Sequence, residues 1–388
     1  MFMNEGVMPH FRNIRRILLL ILCLLGMAAL SGCNTKSNRF GVIFNKDGDI
    51  YRIPDSTQDH IEQLIFTPSI SEHHLLVSEY GDQIVFRAGF GDPEIASSEK
   101  GNHIYLLDTE SKGFIDVTTF LVDFPQVWNT FSMDWLPNQE QFLVVRVEGQ
   151  QYERENYLDF IGFDGKIKKQ FHIEPIGEVP ALIHSAELSP DGKKAVLTQI
   201  VIGGENQLKY PGAAILVYDF ESKETTQLTT YEDHCMLQEW SPTSKEIIVS
   251  CSYTPTPIIE GVSGPSTLRI INIENPNAPE SLIGLSSCDY PTWSPDGIQI
   301  ATLCEKDSGQ KGLFILNTEY YEIHEVFVGD PVNLSQPIWS PDGERIIYAA
   351  GPDYEHRKIY SIRPDGSDKH ILTSEAGGYG IVAVYPIP

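Results

Sequence analysis

Positive charge is scarce. The 388 residues carry 28 Lys and Arg against 53 Asp and Glu, a formal charge of −25. Such a chain repels phosphate backbones and anionic headgroups, which argues against nucleic acid as a partner. Cysteine is rare too, with six in all, and no Cys or His pair stands at zinc spacing among the scattered histidines. His73-His74 is the one adjacent histidine pair, and neighbouring strand residues face opposite ways, so the two would not ligate one metal. No glycine-rich phosphate loop occurs. Gly261-Val262-Ser263-Gly264-Pro265 is the nearest string to a hydrolase nucleophile elbow, but it lacks the final glycine and falls in a predicted loop. Asp47, Asp49 and Glu62 read as solvated surface, with Asp47-Gly48 as a hairpin turn. Past residue 33 no stretch sustains a helical apolar period, which argues against a bundle or helical solenoid. These absences leave no catalytic group, no metal site and no cofactor to name.

The first forty residues are different in kind. Arg12, Arg15 and Arg16 precede an apolar run of 14 residues, Ile17 to Leu30, and Leu30-Ser31-Gly32-Cys33 closes it. A helix of that length rises only about 21 Å, short of a bilayer core, so the run reads as a signal h-region. Small residues before the cut admit the chain to a peptidase, and a thiol just after it suits thioether lipidation. The pattern resembles the bacterial lipoprotein signal motif. The resemblance implies a signal peptide at 1–32, acylation (palmitate included) at Cys33 and a tether at 33–38. Met1 and Met8 are both candidate starts. Asn34 follows the lipidated position, which by the Gram-negative sorting rule implies the periplasmic side of the outer membrane. In a single-membrane organism the same signal implies the outer face of the cell membrane.

A repeat fills the remainder. Trp293-Ser294-Pro295-Asp296-Gly297 recurs as Trp339-Ser340-Pro341-Asp342-Gly343 and Leu188-Ser189-Pro190-Asp191-Gly192. Degraded copies begin at Trp240, Trp135 and Val77. The positions after the apolar residue are 78, 136, 189, 241, 294 and 340, so the gaps run from 46 to 58 residues. In each copy Pro presets φ, Asp bonds its own backbone and Gly accepts φ > 0. A β-rich strand follows, as in Ile247-Ile248-Val249, then a variable loop, an Ile-Tyr-type strand and a strand ending near Thr. Four strands per roughly 50 residues is the unit of a β-propeller blade.

The inner turn occurs six times, but the Ile-Tyr-type strand occurs seven times. The extra copy, Asp49 to Ile53, belongs to three N-terminal strands that lack an inner partner; Ile381 to Pro386 is a lone inner strand at the other end. Pairing them would close the ring and remove its free edge. The expectation is an all-β, seven-bladed propeller over 39–388, with six blades as the alternative. The repeats resemble the TolB-type and WD-like propeller family, which implies the fold. TolB-type proteins carry a further α/β domain for which this chain has no room, so TolB's own partners do not carry over.

The cysteines test the register. Cys235 and Cys288 each lie five residues before a repeat tryptophan, and Cys251 and Cys304 each lie eleven after it. Both pairs are centred on the turn, so each sits across a hairpin, within disulfide reach. Cys235–Cys251 and Cys288–Cys304 are therefore the expected bonds in an exported chain. Function is read from geometry alone. With the Ser-Pro-Asp-Gly turns on one face, the loops between second and third strands share the other. They carry Phe90, Tyr152, Tyr210, Tyr253 and Tyr354. Varied loops on a rigid scaffold favour binding, and Tyr favours protein interfaces. The expectation is a non-catalytic envelope scaffold with a protein partner; the alternative is a small-molecule or glycan receptor or enzyme using the central channel.

Overall fold

Strands buried on both faces need apolar residues at successive positions, and the second strand of each repeat has them. In Gln141–Glu148, Phe142 and Val144 pack toward one neighbouring blade and Leu143 and Val145 toward the other. The computed structural model describes residues 39–387 apart from 48, 59, 66–69, 91–102, 118–126, 137–139, 150–153, 178–180, 202–211, 253–265, 277–279, 282–285 and 330–332. The expected signal segment and Cys33 lie outside the described residues.

Seven antiparallel sheets follow one another. Blade 1 joins Phe40–Lys46, Asp49–Ile53 and Glu62–Ile65 to the C-terminal strand Tyr379–Pro386, which takes the innermost place. Blades 2 to 6 have their innermost strands at Ile70–Val77, Val127–Trp135, Ala181–Leu188, Cys235–Trp240 and Ser286–Trp293. In blade 7 the innermost strand is split into Asn333–Leu334 and Ile338–Trp339. Pro337 has no N–H to give there, and Ser335 spans the gap, its Oγ accepting Ala349 N–H at 2.8 Å. Each innermost strand touches the innermost strands of the blades on either side, and the series runs from blade 7 back to blade 1. The chain is a seven-bladed β-propeller.

Its core is not one mass. Seven apolar clusters form, one at each junction between consecutive blades. Val42 and Phe44 meet Ile347 and Ile359 across the 7–1 junction, while Ile43 meets Ile84 across the 1–2 junction.

The Ser-Pro-Asp-Gly turns are built as their chemistry requires. Ser294 Oγ donates to Asp296 at 2.6 Å and accepts Gln299 N–H at 2.9 Å; Ser340 does the same with Asp342 and Arg345. Gly297 and Gly343 sit at φ 74° and 72°, where a side chain would be strained. The turns touch around the ring: Gly343 faces Pro295, and Gly297 faces Pro242. In blade 1, Tyr385 takes the aromatic position, its ring packed where a Cβ on Gly41 or Gly81 would collide. Glu62 is neutralised by Arg52 at 2.6 Å and Lys112 at 2.8 Å, so it serves the 1–2 junction.

Both cysteine pairs are bonded. Cys235 pairs with Cys251 and Cys288 with Cys304, each directly opposite across the two inner strands, with Cα atoms 3.9 and 4.1 Å apart. Closing a loop of this size in the unfolded chain stabilises a fold by about 3 kcal/mol. The Cys235→Ser, Cys251→Ser double variant should lose about that much in urea unfolding; an unchanged midpoint would show that the bond constrains nothing.

Candidate functional site

In every inner strand of blades 2 to 6 the register slips against its partner, once in blades 2, 4 and 5 and twice in blades 3 and 6. Such bulges re-aim side chains. In blades 5 and 6 the slip is held by non-glycine residues in the left-handed region, Leu237 at φ 55° and Tyr290 at φ 53°. Bulky residues rarely adopt that conformation, and it gathers at functional positions. Both lie two residues after a bonded cysteine. The bonds tie down the strand ends next to the strained residues.

The slip turns apolar side chains out to solvent. Met236, Leu237 and Tyr290 are exposed by 38, 42 and 42%. All three lie on innermost strands, Met236 and Leu237 at the end opposite the Ser-Pro-Asp-Gly turn and Tyr290 midway along Ser286–Trp293. They therefore line the channel mouth on the loop face. Blade 7 supplies the next part of the rim. Tyr354 is half exposed, and the Arg357 guanidinium lies 4.9 Å from its ring centre. Arg357 is fixed by Asn333 Oδ1 at 2.7 Å and by the carbonyls of Leu334 and Tyr379 at 3.2 Å. Burial lowers its pKa, and the neighbouring Tyr354 and Tyr290 hydroxyls act in the opposite sense. Met, Tyr and Arg are residue types enriched at protein interfaces, and Tyr and Arg at their hot spots.

Of the residues singled out in the sequence, Tyr354 is placed on this rim. Phe90 ends the strand Gln83–Phe90 on the loop side. Tyr152, Tyr210, Tyr253 and the Gly261–Pro265 string lie outside the described residues. His73 and His74 fall within Ile70–Val77. Among the described residues no group of three His, Cys, Asp or Glu is arranged to hold a metal. The loops were legible in the sequence; Leu237 and Tyr290 were not. Their signal was present, since each follows a cysteine by two positions, 53 residues apart.

Three carboxylates escaped sequence reading altogether. Asp134, Glu187 and Glu239 each precede the apolar residue of a repeat and reach into the next blade. Asp134 accepts Leu188 N–H at 2.5 Å, Glu187 accepts Trp240 N–H at 3.1 Å, and Glu239 accepts Trp293 N–H at 2.9 Å. Blades 3 to 6 are thus stapled by buried carboxyl groups that accept backbone N–H bonds. Burial strips these carboxylates of water and raises Asp134 to about 6 and Glu239 to about 7, against the pull of the N–H donors. Glu187 is raised well above its usual range by burial, then by the charges of Asp134 and Glu239 on either side. A charge of another kind is enclosed at the 2–3 junction. There Arg146 is fully buried, paired with Asp159 and Glu148 and lying 4.3 Å from the Tyr157 ring centre.

No family model matches the chain. An uncharacterized peptidase YuxL of Bacillus subtilis is 39% identical over 57 residues, 15% of this chain and 8% of the relative. The Tol-Pal system protein TolB of Alcanivorax borkumensis is 38% identical over 63 residues, 16% of this chain and 14% of that protein. Over those residues the repeat is TolB-like. The chain thus spans less than a sixth of the length of either relative it matches. The crystal structure of oligogalacturonate lyase from Vibrio parahaemolyticus superposes with a TM-score of 0.55 at 13% identity, covering 86% of this chain and 85% of that one. That likeness is of fold alone.

The raised carboxylates give a pH signature. A folded pKa above the unfolded value near 4 means that folding takes up protons. The stability so conferred is complete below about pH 4 and is lost as pH rises through about 6 to 7. Glu239→Gln keeps an acceptor for Trp293 but cannot titrate. Its urea midpoint should fall less than that of the parent between pH 5 and pH 8; parallel curves would show that Glu239 is charged throughout.

Proposed function

We propose that the chain is a lipid-anchored propeller of the cell envelope that binds a protein partner through the channel mouth on its loop face. Residues 1–32 act as the export signal, Cys33 carries the lipid, 33–38 form the tether and 39–388 the propeller. The observation that carries the reading is the pair of strained bulges presenting Leu237 and Tyr290 beside Tyr354 and Arg357. A purely structural strand would avoid a conformation that costs about 1–3 kcal/mol per residue. The Tol-Pal system protein TolB, matched over one repeat, supports an envelope role for propellers of this type. The Asn at position 34 puts the anchor in the outer membrane of a Gram-negative cell; otherwise it lies on the outer face of the cell membrane.

Affinity capture of the lipidated protein from gently solubilised envelopes tests the reading, with the double variant Tyr290→Ala, Tyr354→Ala as control. A stoichiometric envelope protein should be retained by the parent. Truncation of one hot-spot anchor costs about 2 kcal/mol, so the double variant should bind at least about 30-fold more weakly. A chain that retains no protein, yet binds glycans or small molecules in the channel, would move the assignment to a receptor or enzyme, for which the peptidase and lyase likenesses leave room.

A further inference from the structure

The large apolar side chains exposed on the turn side of the propeller are not spread evenly. Blade 2 exposes Tyr80 in its inner turn by 62%, and Phe114 and Ile115 by 50 and 54% where its outermost strand leaves the turn side. Blade 7 exposes Ile371 by 58% at the equivalent place. Blade 6 exposes Ile298 by 40% with Tyr320 and Tyr321 by 71 and 48%, in two turns joined by the Thr318 N–H to Ile298 carbonyl bond of 2.9 Å. Among the described residues, the turn ends of blades 3, 4 and 5 expose no large apolar side chain. The apolar sector is therefore the arc of blades 6, 7, 1 and 2, which contains blade 1.

Blade 1 is also where the chain enters the propeller, and it enters on the turn side. Phe40 pairs with Pro386, the turn-side end of the innermost strand, while Lys46 pairs with Tyr379 at the loop side. The entry point is fixed. Ser56 N–H donates to the Phe40 carbonyl at 2.8 Å, and Arg39 bonds the buried Asp55 at 2.5 Å. Six residue steps separate Arg39 from Cys33, a reach of at most about 21 Å. A lipid on Cys33 holds blade 1 that close to the membrane surface, but it permits either the rim or the turn face to lie on it. The exposed side chains decide between them. Tyrosines flanked by aliphatic residues suit the headgroup layer of a bilayer, and a chain of this acidity would approach neutral lipid through such contacts and not through charge.

We infer that the arc of blades 6, 7, 1 and 2 lies with its turn side in the headgroup layer, so that the loop face and its channel mouth point away from the membrane. This orientation rests on the lipid anchor proposed for Cys33. It brings the two faces of the propeller into one arrangement, with the bilayer under the turns and the partner above the loops.

In the mature chain an introduced cysteine would be the sole free thiol, since Cys33 is lipidated and the other four are bonded. The full chain, with Tyr320→Cys, Phe114→Cys, Lys193→Cys or Tyr354→Cys labelled by a fluorophore, is bound to phosphatidylcholine vesicles carrying a headgroup nitroxide lipid. Flotation is measured in parallel. Quenching should be severalfold stronger at Tyr320→Cys and Phe114→Cys than at Lys193→Cys, on the turn side of blade 4, or at Tyr354→Cys on the loop face. Equal quenching at all four sites in a floating chain would overturn the orientation and leave the anchor standing. A chain that does not float would overturn the anchor and the orientation with it. Floating chains that pair through the arc as dimers, with no quenching there, would assign that surface to a second copy and overturn the contact with lipid.

Discussion

Closure of the ring by Tyr379–Pro386 is the constraint on which the rest depends. Blade 1 has only three strands of its own at the N-terminus, and its inner edge is completed by a segment more than three hundred residues away. Without that strand the inner edge of blade 1 would stand open, and the clusters at the 7–1 and 1–2 junctions would lose Tyr379 and Tyr385. Each of the other junctions depends on a blade held in place from both sides. Stability in such a ring is shared, because no blade can bury its two apolar faces alone.

The architecture was legible because each turn is solved locally. Ser, Pro, Asp and Gly act within five residues, so Ser294-Pro295-Asp296-Gly297 declares itself without reference to anything distant. The cysteine pairs were legible for the same reason, since a hairpin centred on a known turn fixes who faces whom. What was hidden depends on neighbours a whole repeat away. Glu239 is an unremarkable acid in the sequence until its carboxylate meets Trp293 in the next blade. Leu237 and Tyr290 are unremarkable too, until a slipped register turns them out of the sheet. The loop aromatics were sought for the binding face, whereas the side chains placed at the mouth are largely those of the innermost strands.

The ring is uneven in how its blades are joined. Blades 3 to 6 hold each other through buried carboxylates that accept the next blade's backbone N–H groups. In blades 7, 1 and 2 the equivalent positions are the apolar Ile338, Val384 and Leu76, which can form no such staple. The joints without a carboxylate staple gather around the closing blade. The polar staples lie mainly on the far side, where direction and spacing between blades are set by hydrogen bonds of defined geometry.

The proposed export would give the closing strand a further meaning. On the export proposed above, the chain would be threaded outward from its N-terminus, so blade 1 would receive its outer strands first and its innermost strand last of all. Until the final ten residues are in place, the first sheet has an unpaired edge and the ring a gap. Under that proposal, completion of the fold would report completion of translocation. A truncated chain would remain an open, strand-edged polymer, marked for proteolysis by its own topology.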